Sequence, residues 1–93
     1  MENQHRKIRG YRELSQEEID LMNEIKTKGA EFGELVEKIR RIHADQRRIH
    51  ADNHDEIERL NEAEPERWTA IGKTHIQEGL MALTRSVAQP SFF

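Results

Sequence analysis

Cysteine is absent from this 93-residue chain, which removes disulfides and zinc–thiolate clusters from the ways a small fold can be stabilised. Aromatic residues are scarce: one Trp, one Tyr and three Phe make up 5% of the chain, so few large side chains are available for a core. Proline occurs only at Pro65 and Pro90, which leaves long stretches where a helix can run unbroken. No charged-then-apolar leader opens the chain, and no apolar run approaches the roughly 18 residues of a membrane helix. The expectation is a soluble cytoplasmic protein with no membrane partner. Gly-rich phosphate loops and nucleophile elbows are missing as well, and the serines stand at capping or terminal positions. A binding protein is expected, not an enzyme.

What is present is charge. Asp, Glu, Lys and Arg supply 35% of the residues against 34% hydrophobic, with a net charge of -3. A chain of this length buries only about 60 to 65% of its unfolded surface, so its own core is marginal and self-association is the expected source of further stability. The acidic balance disfavours long nucleic acids, which demand a basic surface that displaces many counterions. A small anionic ligand needs only a few well-placed cations.

Organisation follows from local signals. Residues 1–14 read as a basic arm or short helix carrying His5, Arg6, Lys7, Arg9 and Arg12 around Gly10 and Tyr11. Ser15 and Glu18 form a capping box, with Leu14 and Ile19 at the staple positions, so a helix starts there. Met22, Ile25, Gly29, Phe32, Val36, Ile39 and His43 recur at spacings of three and four, flanked by Leu21, Leu35, Ile42 and Ile49 at multiples of seven. This predicts one helix to about Ala51, roughly 50 Å long. Within it Arg40-Arg41-Ile42-His43-Ala44-Asp45-Gln46 is nearly repeated by Arg47-Arg48-Ile49-His50-Ala51-Asp52-Asn53, a duplication of seven that preserves the helix face.

A turn is expected at Asp52 and Asn53, with Asn53 capping a second helix through Glu56 and with Ile57 and Leu60 facing inward. Pro65 predicts a kink or break, followed by Trp68, Gly72, Ile76, Leu80, Leu83 and Val87 on one side until Pro90 stops the helix. The fold class is therefore all-α: an arm over 1–14, an antiparallel hairpin of two long helices over 15–90, the second kinked near Pro65, and a tail over 91–93. The whole is read as a single domain that oligomerises. The helical glycines Gly29, Gly33, Gly72 and Gly79 imply close approach of another helix or of a ligand, helix packing being the simpler account.

Candidate chemistry concentrates in the arm, where Tyr11 offers a face for stacking a base and Arg6, Lys7, Arg9 and Arg12 can neutralise phosphate. A basic arm with Tyr11 as a packing anchor accounts for the same residues equally well. Arg67 beside Trp68 is a second possible anion site or simply part of the core. His50 and His54 lie four apart, but the intervening turn puts them on different helices, so surface histidines are favoured over metal ligands.

The segments His5 to Leu14 and Arg67-Trp68 through Gln77 to Pro90 resemble the small phage-encoded anti-CBASS sponges, helical-hairpin proteins related to the anti-Thoeris sponges. The resemblance takes in both ends and the first half of the long helix. It does not extend to the middle, where the duplicated heptad falls. It implies a compact oligomer, typically a hexamer, that sequesters intact the cyclic nucleotides of bacterial immunity in the cytoplasm of an infected cell. It further implies that Tyr11 stacks on a nucleobase and Lys26 contacts phosphate in a pocket shared by two protomers. Arg67 would serve a separate site for cyclic trinucleotides, and no cofactor is implied. Two other classes compete: a helical protein-interaction adaptor using the apolar stripe and the Phe92-Phe93 tail, and a weak single-strand nucleic-acid binder using the basic arm.

Overall fold

The computed structural model describes residues 12–92, and Lys7, Tyr11 and Phe93 lie outside that range. Three helices follow one another: α1 (Gln16–Ile49), α2 (His54–Ala63) and α3 (Pro65–Ala88). No strand occurs among the described residues.

Each helix end is explained by its own residues. At the start of α1 the Glu18 N–H donates to Ser15 Oγ (3.2 Å) and the Ser15 N–H donates to the Glu18 carboxylate (2.9 Å), satisfying two otherwise orphaned donors. Glu17 and Glu18 in the first turn and Arg47 and Arg48 in the last complement the helix dipole. The helix ends at Ile49, two residues before the expected Ala51, because the chain tightens into a turn in which the Asn53 N–H returns to the His50 carbonyl (2.9 Å). Asn53 then caps α2 as expected, accepting from the Glu56 N–H at 3.1 Å.

Of the kink or break expected near Pro65, the chain takes the break. Glu64 adopts the left-handed conformation (φ 51°, ψ 53°) and closes α2 by donating its N–H to the Leu60 carbonyl (2.9 Å). Its own carbonyl accepts from the Trp68 N–H (3.1 Å), so one residue ends α2 and begins α3. Pro65, whose missing N–H costs nothing in the first turn, is the first residue of α3. Gln89 repeats the left-handed stop (φ 52°) before Pro90.

The chain forms two compact units, residues 12–29 with 77–92 and residues 30–76. In the second, Val36 of α1 (7% exposed) and Leu60 of α2 (2%) are the buried hydrophobic residues. Arg47 ties this unit together. Its Nε and Nη2 donate to the two oxygens of Glu66 (2.6 and 2.9 Å), and its Nη1 donates to Asn61 Oδ1 (2.9 Å). One guanidinium thus holds both sides of the break at Glu64 against α1. The duplicated heptad has diverged accordingly: Arg40, the counterpart of Arg47, only pairs with Glu37 on its own helix (3.1 Å).

In the unit of residues 12–29 and 77–92, α1 passes α3 at Gly29, where an added Cβ would stand 3.3 Å from Leu80 Cδ1. Gly33 has open space instead. Gly33→Ala should therefore stabilise α1 by up to about 1 kcal/mol in thermal melts, and Gly29→Ala by less, because Leu80 must give way.

Apolar surface remains uncovered. The outer row Leu35, Ile42 and Ile49 is 49, 58 and 65% exposed. Trp68 and Leu83, expected on the inward side of the second pattern, are more than half exposed as well. Gly72, Ile76, Leu80 and Val87 of the same spacing are half-buried, so the stripe is kept in those members of α3 while Trp68 and Leu83 are left exposed within one chain.

Candidate ligand-binding residues

Lys26 projects from α1 and is exposed, with no hydrogen bond or ion pair to any described residue. An uncompensated ammonium on a regular helix is available to an incoming anion at no cost in broken contacts.

Arg12, expected among the phosphate-neutralising residues, is heavily engaged. Its Nη1 donates to Glu18 (3.1 Å), and its Nη2 donates both to Glu18 and to the Val87 carbonyl near the end of α3 (2.8 Å to the latter). Its Nε is buried without a partner. Glu18 is the hub, since the oxygen that accepts from Arg12 Nη1 also accepts from the Ser15 N–H. Arg12 first, and then the Ser15 backbone, hold its carboxyl down at about 2. Arg47 does the same to Glu66, also to about 2.

Both carboxyls are depressed in the folded chain, so the stability they confer is present above their ordinary value of 4.5 and is lost as pH falls toward 2. Melting temperature should therefore drop progressively below about pH 4.5. In an Arg12→Met, Arg47→Met double variant that acid dependence should flatten.

Arg67 lies in the unit of residues 30–76. Its guanidinium sits over the Trp68 ring, 5.2 Å from the centroid, with Glu64 at 3.6 Å. Trp68 is 59% exposed, so cation and ring together present a polar and a flat surface outward. Beside them a groove of about 380 Å³ opens between α1 and α3, walled by Leu35, Ile39, Trp68, Gly72 and Ile76. At its edge the Thr69 hydroxyl donates to the Pro65 carbonyl (2.8 Å) and lies 3.4 Å from His43 Nδ1. His50 falls in the turn and His54 begins α2, where Nε2 faces Glu58 at 3.7 Å. Among the described residues no three His, Asp or Glu side chains gather as metal ligands. No described helix is long and apolar enough to cross a membrane.

Of the expected site residues, then, Lys26 and Arg67 are exposed in separate units, Arg12 is held in a clasp, and Tyr11 and Lys7 fall outside the described residues. The clasp was invisible to spacing because Arg12 and Val87 are 75 residues apart.

Comparison with known proteins gives this arrangement a context. Anti-CBASS protein 2 of Pseudomonas phage JBD67 is 45% identical over 106 aligned residues, covering 97% of this chain and 97% of that protein. Residues 4–88 match the Acb2/Tad1 hairpin domain, a span that includes most of the arm, all three helices and the duplicated heptad to which the resemblance did not extend. The chain belongs to the Acb2/Tad1 hairpin family.

Proposed function

We propose that this protein sequesters cyclic oligonucleotide messengers, cyclic dinucleotides foremost and cyclic trinucleotides at a second site, and so counters CBASS immunity in the cytoplasm of the infected bacterium. The observation that carries the reading is the near full-length similarity to a phage anti-CBASS protein. In the first site Tyr11 stacks on a base while Lys26 and Lys7 meet phosphate; in the second Arg67 provides the cation. Ligand is held and not cleaved, and slow release is all that the task requires.

The physical chemistry supports an oligomer, with a hexamer as the expected state. Few hydrophobic side chains are buried within one chain, and a row of apolar residues on α1 stays exposed. A two-base ligand also needs walls that one thin hairpin does not supply. A pocket shared by two protomers related by a twofold axis matches a cyclic dinucleotide, which presents two bases and two phosphates in a near-symmetric ring.

Isothermal titration against a panel of cyclic dinucleotides and trinucleotides, followed by extraction of the bound ligand, tests this. Tight binding with intact recovery is expected, and an absence of heat at micromolar protein would overturn it. The open groove beside Trp68 favours a second reading, a helical adaptor for another protein. A partner that binds the Trp68→Ala variant as well as the unaltered protein would remove the support for that reading.

A further inference from the structure

One row of apolar side chains on α1 has little cover within the chain. Leu35, Ile42 and Ile49 recur at spacings of seven and are 49, 58 and 65% exposed. A spacing of seven drifts only about 20° per repeat around a straight α-helix, so the three residues stay in one line, roughly 21 Å long. The duplicated heptad gives the line its length. Ile42 and Ile49 hold the same place in its two copies, so the repeat adds one complete layer to the row instead of turning it away.

The charges beside the row say what fits it. Glu34, Lys38, Arg41, Asp45 and Arg48 border one side of it, all exposed. Glu34, Lys38 and Arg41 make no hydrogen bond or ion pair to any described residue, and Asp45 pairs with Arg48 on its own helix (3.2 Å). A second copy of α1 laid antiparallel, Ile42 against Ile42, sets Leu35 opposite Ile49 at both ends. In that register Lys38 falls within one residue's rise, about 1.5 Å, of Asp45 of the second copy, and Glu34 within two, about 3 Å, of its Arg48. The twofold axis doubles both pairs, against a single repulsion of Arg41 with its own copy. The Asp45–Arg48 pair of one helix then lies between Lys38 and Glu34 of the other, and the signs alternate along the seam. Laid parallel in register, the same row would set Lys38 against Lys38 and Asp45 against Asp45, and would offer Glu34 and Arg41 only the uncharged Ile39 and Gln46. Exposed pairs of this kind add little affinity but do select orientation.

We propose that α1 pairs antiparallel with α1 of a second copy along Leu35, Ile42 and Ile49, with Lys38 meeting Asp45 and Glu34 meeting Arg48 across the seam. This gives the proposed self-association its face and direction and rests on it; it does not depend on ligand capture.

The chain has no cysteine, so every disulfide formed on mild oxidation comes from a residue put there. Ile42→Cys, Leu35→Cys, Ile49→Cys, the Leu35→Cys, Ile49→Cys double variant and the control Ala44→Cys, exposed but off the row, are oxidised and run on non-reducing gels once circular dichroism has shown unchanged helix. Disulfide dimer is expected from Ile42→Cys, which stands on the axis, and from the double variant, whose two cysteines are too far apart within one helix to join. Leu35→Cys and Ile49→Cys alone should stay at the level of the control. In sedimentation, Lys38→Asp and Asp45→Lys should each raise the concentration of half-assembly by roughly ten-fold. The combined variant should return it to near the unaltered value, because the swap restores opposite signs across an antiparallel seam.

Ile42→Cys at the control level, dimer from Leu35→Cys alone, or a combined charge variant no better than the single ones would each overturn the antiparallel seam and leave self-association standing on another face. A protein that sediments as a monomer at every concentration would overturn self-association and the seam together. Titration of cyclic GMP–AMP into the unaltered protein, run alongside, reports on capture alone.

Discussion

If the protein captures cyclic dinucleotides as proposed, Lys26→Glu is expected to abolish that binding while leaving the helical spectrum and the assembly state as they are. A charge-assisted hydrogen bond to phosphate is worth about 1.5 to 3 kcal/mol. The proposed pocket, shared by two protomers across a twofold axis, would carry the substitution twice, once for each phosphate. Removing two such bonds gives at least about 3 kcal/mol, a loss of 100-fold or more, and the introduced carboxylates add repulsion. Folding should be indifferent, because Lys26 is exposed and has no partner among the described residues to lose. Lys26→Ala should show the same loss without the repulsive part, and Lys26→Arg should retain most of the affinity. If Lys26→Glu still bound cyclic GMP–AMP within a few-fold of the unaltered protein, the phosphate contact would lie elsewhere, and the local cations of the arm would be the next candidates.

The parts of this fold that the sequence reveals are those whose causes are local. Ser15 with Glu18 and Asn53 with Glu56 announce helix starts because the capping bonds close within three residues, and all three bonds form. Pro65 and Pro90 announce stops for the equally local reason that proline cannot continue a preceding helix. The extent of cover is harder to read. The spacing from Trp68 to Val87 places six residues on one side of α3, of which Gly72, Ile76, Leu80 and Val87 are half-buried, but spacing does not tell how far the cover from the same chain extends, and Trp68 and Leu83 stay exposed.

Long-range pairing is the least legible. Arg47 and Arg40 occupy the same place in two nearly identical heptads, and nothing in their flanking residues tells that one reaches Asn61 and Glu66 while the other stays on its own helix. Among the candidate site residues the same limit applies. Lys26 is one of three lysines on a charged helix, and its assignment rests on family likeness, since spacing does not distinguish it from Lys28 or Lys38. Arg12 reads from the sequence as a cation for phosphate, and its hydrogen bonds to Glu18 and to the distant Val87 carbonyl are not legible there.

Leu60→Ala should be the most destabilising single substitution in the described chain. Its side chain is 2% exposed, the most buried hydrophobic residue among those described, and it lies one turn before the Glu64 break, with its carbonyl accepting the N–H that closes α2. Truncation of a fully buried leucine costs about 2 to 4 kcal/mol, the removed methyl groups and the cavity contributing together. In a small domain that corresponds to a fall in melting temperature of roughly 10 °C or more. With so few buried side chains, little neighbouring core exists to collapse into the space. Ile42→Asp provides the contrast, because Ile42 is 58% exposed within one chain. If that face is covered by another protomer, Ile42→Asp should shift sedimentation toward smaller species and make melting depend strongly on protein concentration. Leu60→Ala should lower the melting temperature at every concentration. Equal, concentration-independent losses from both would mean that the outer row of α1 contributes nothing to assembly, and the interface would have to be sought on the faces that carry Met81 and Leu83.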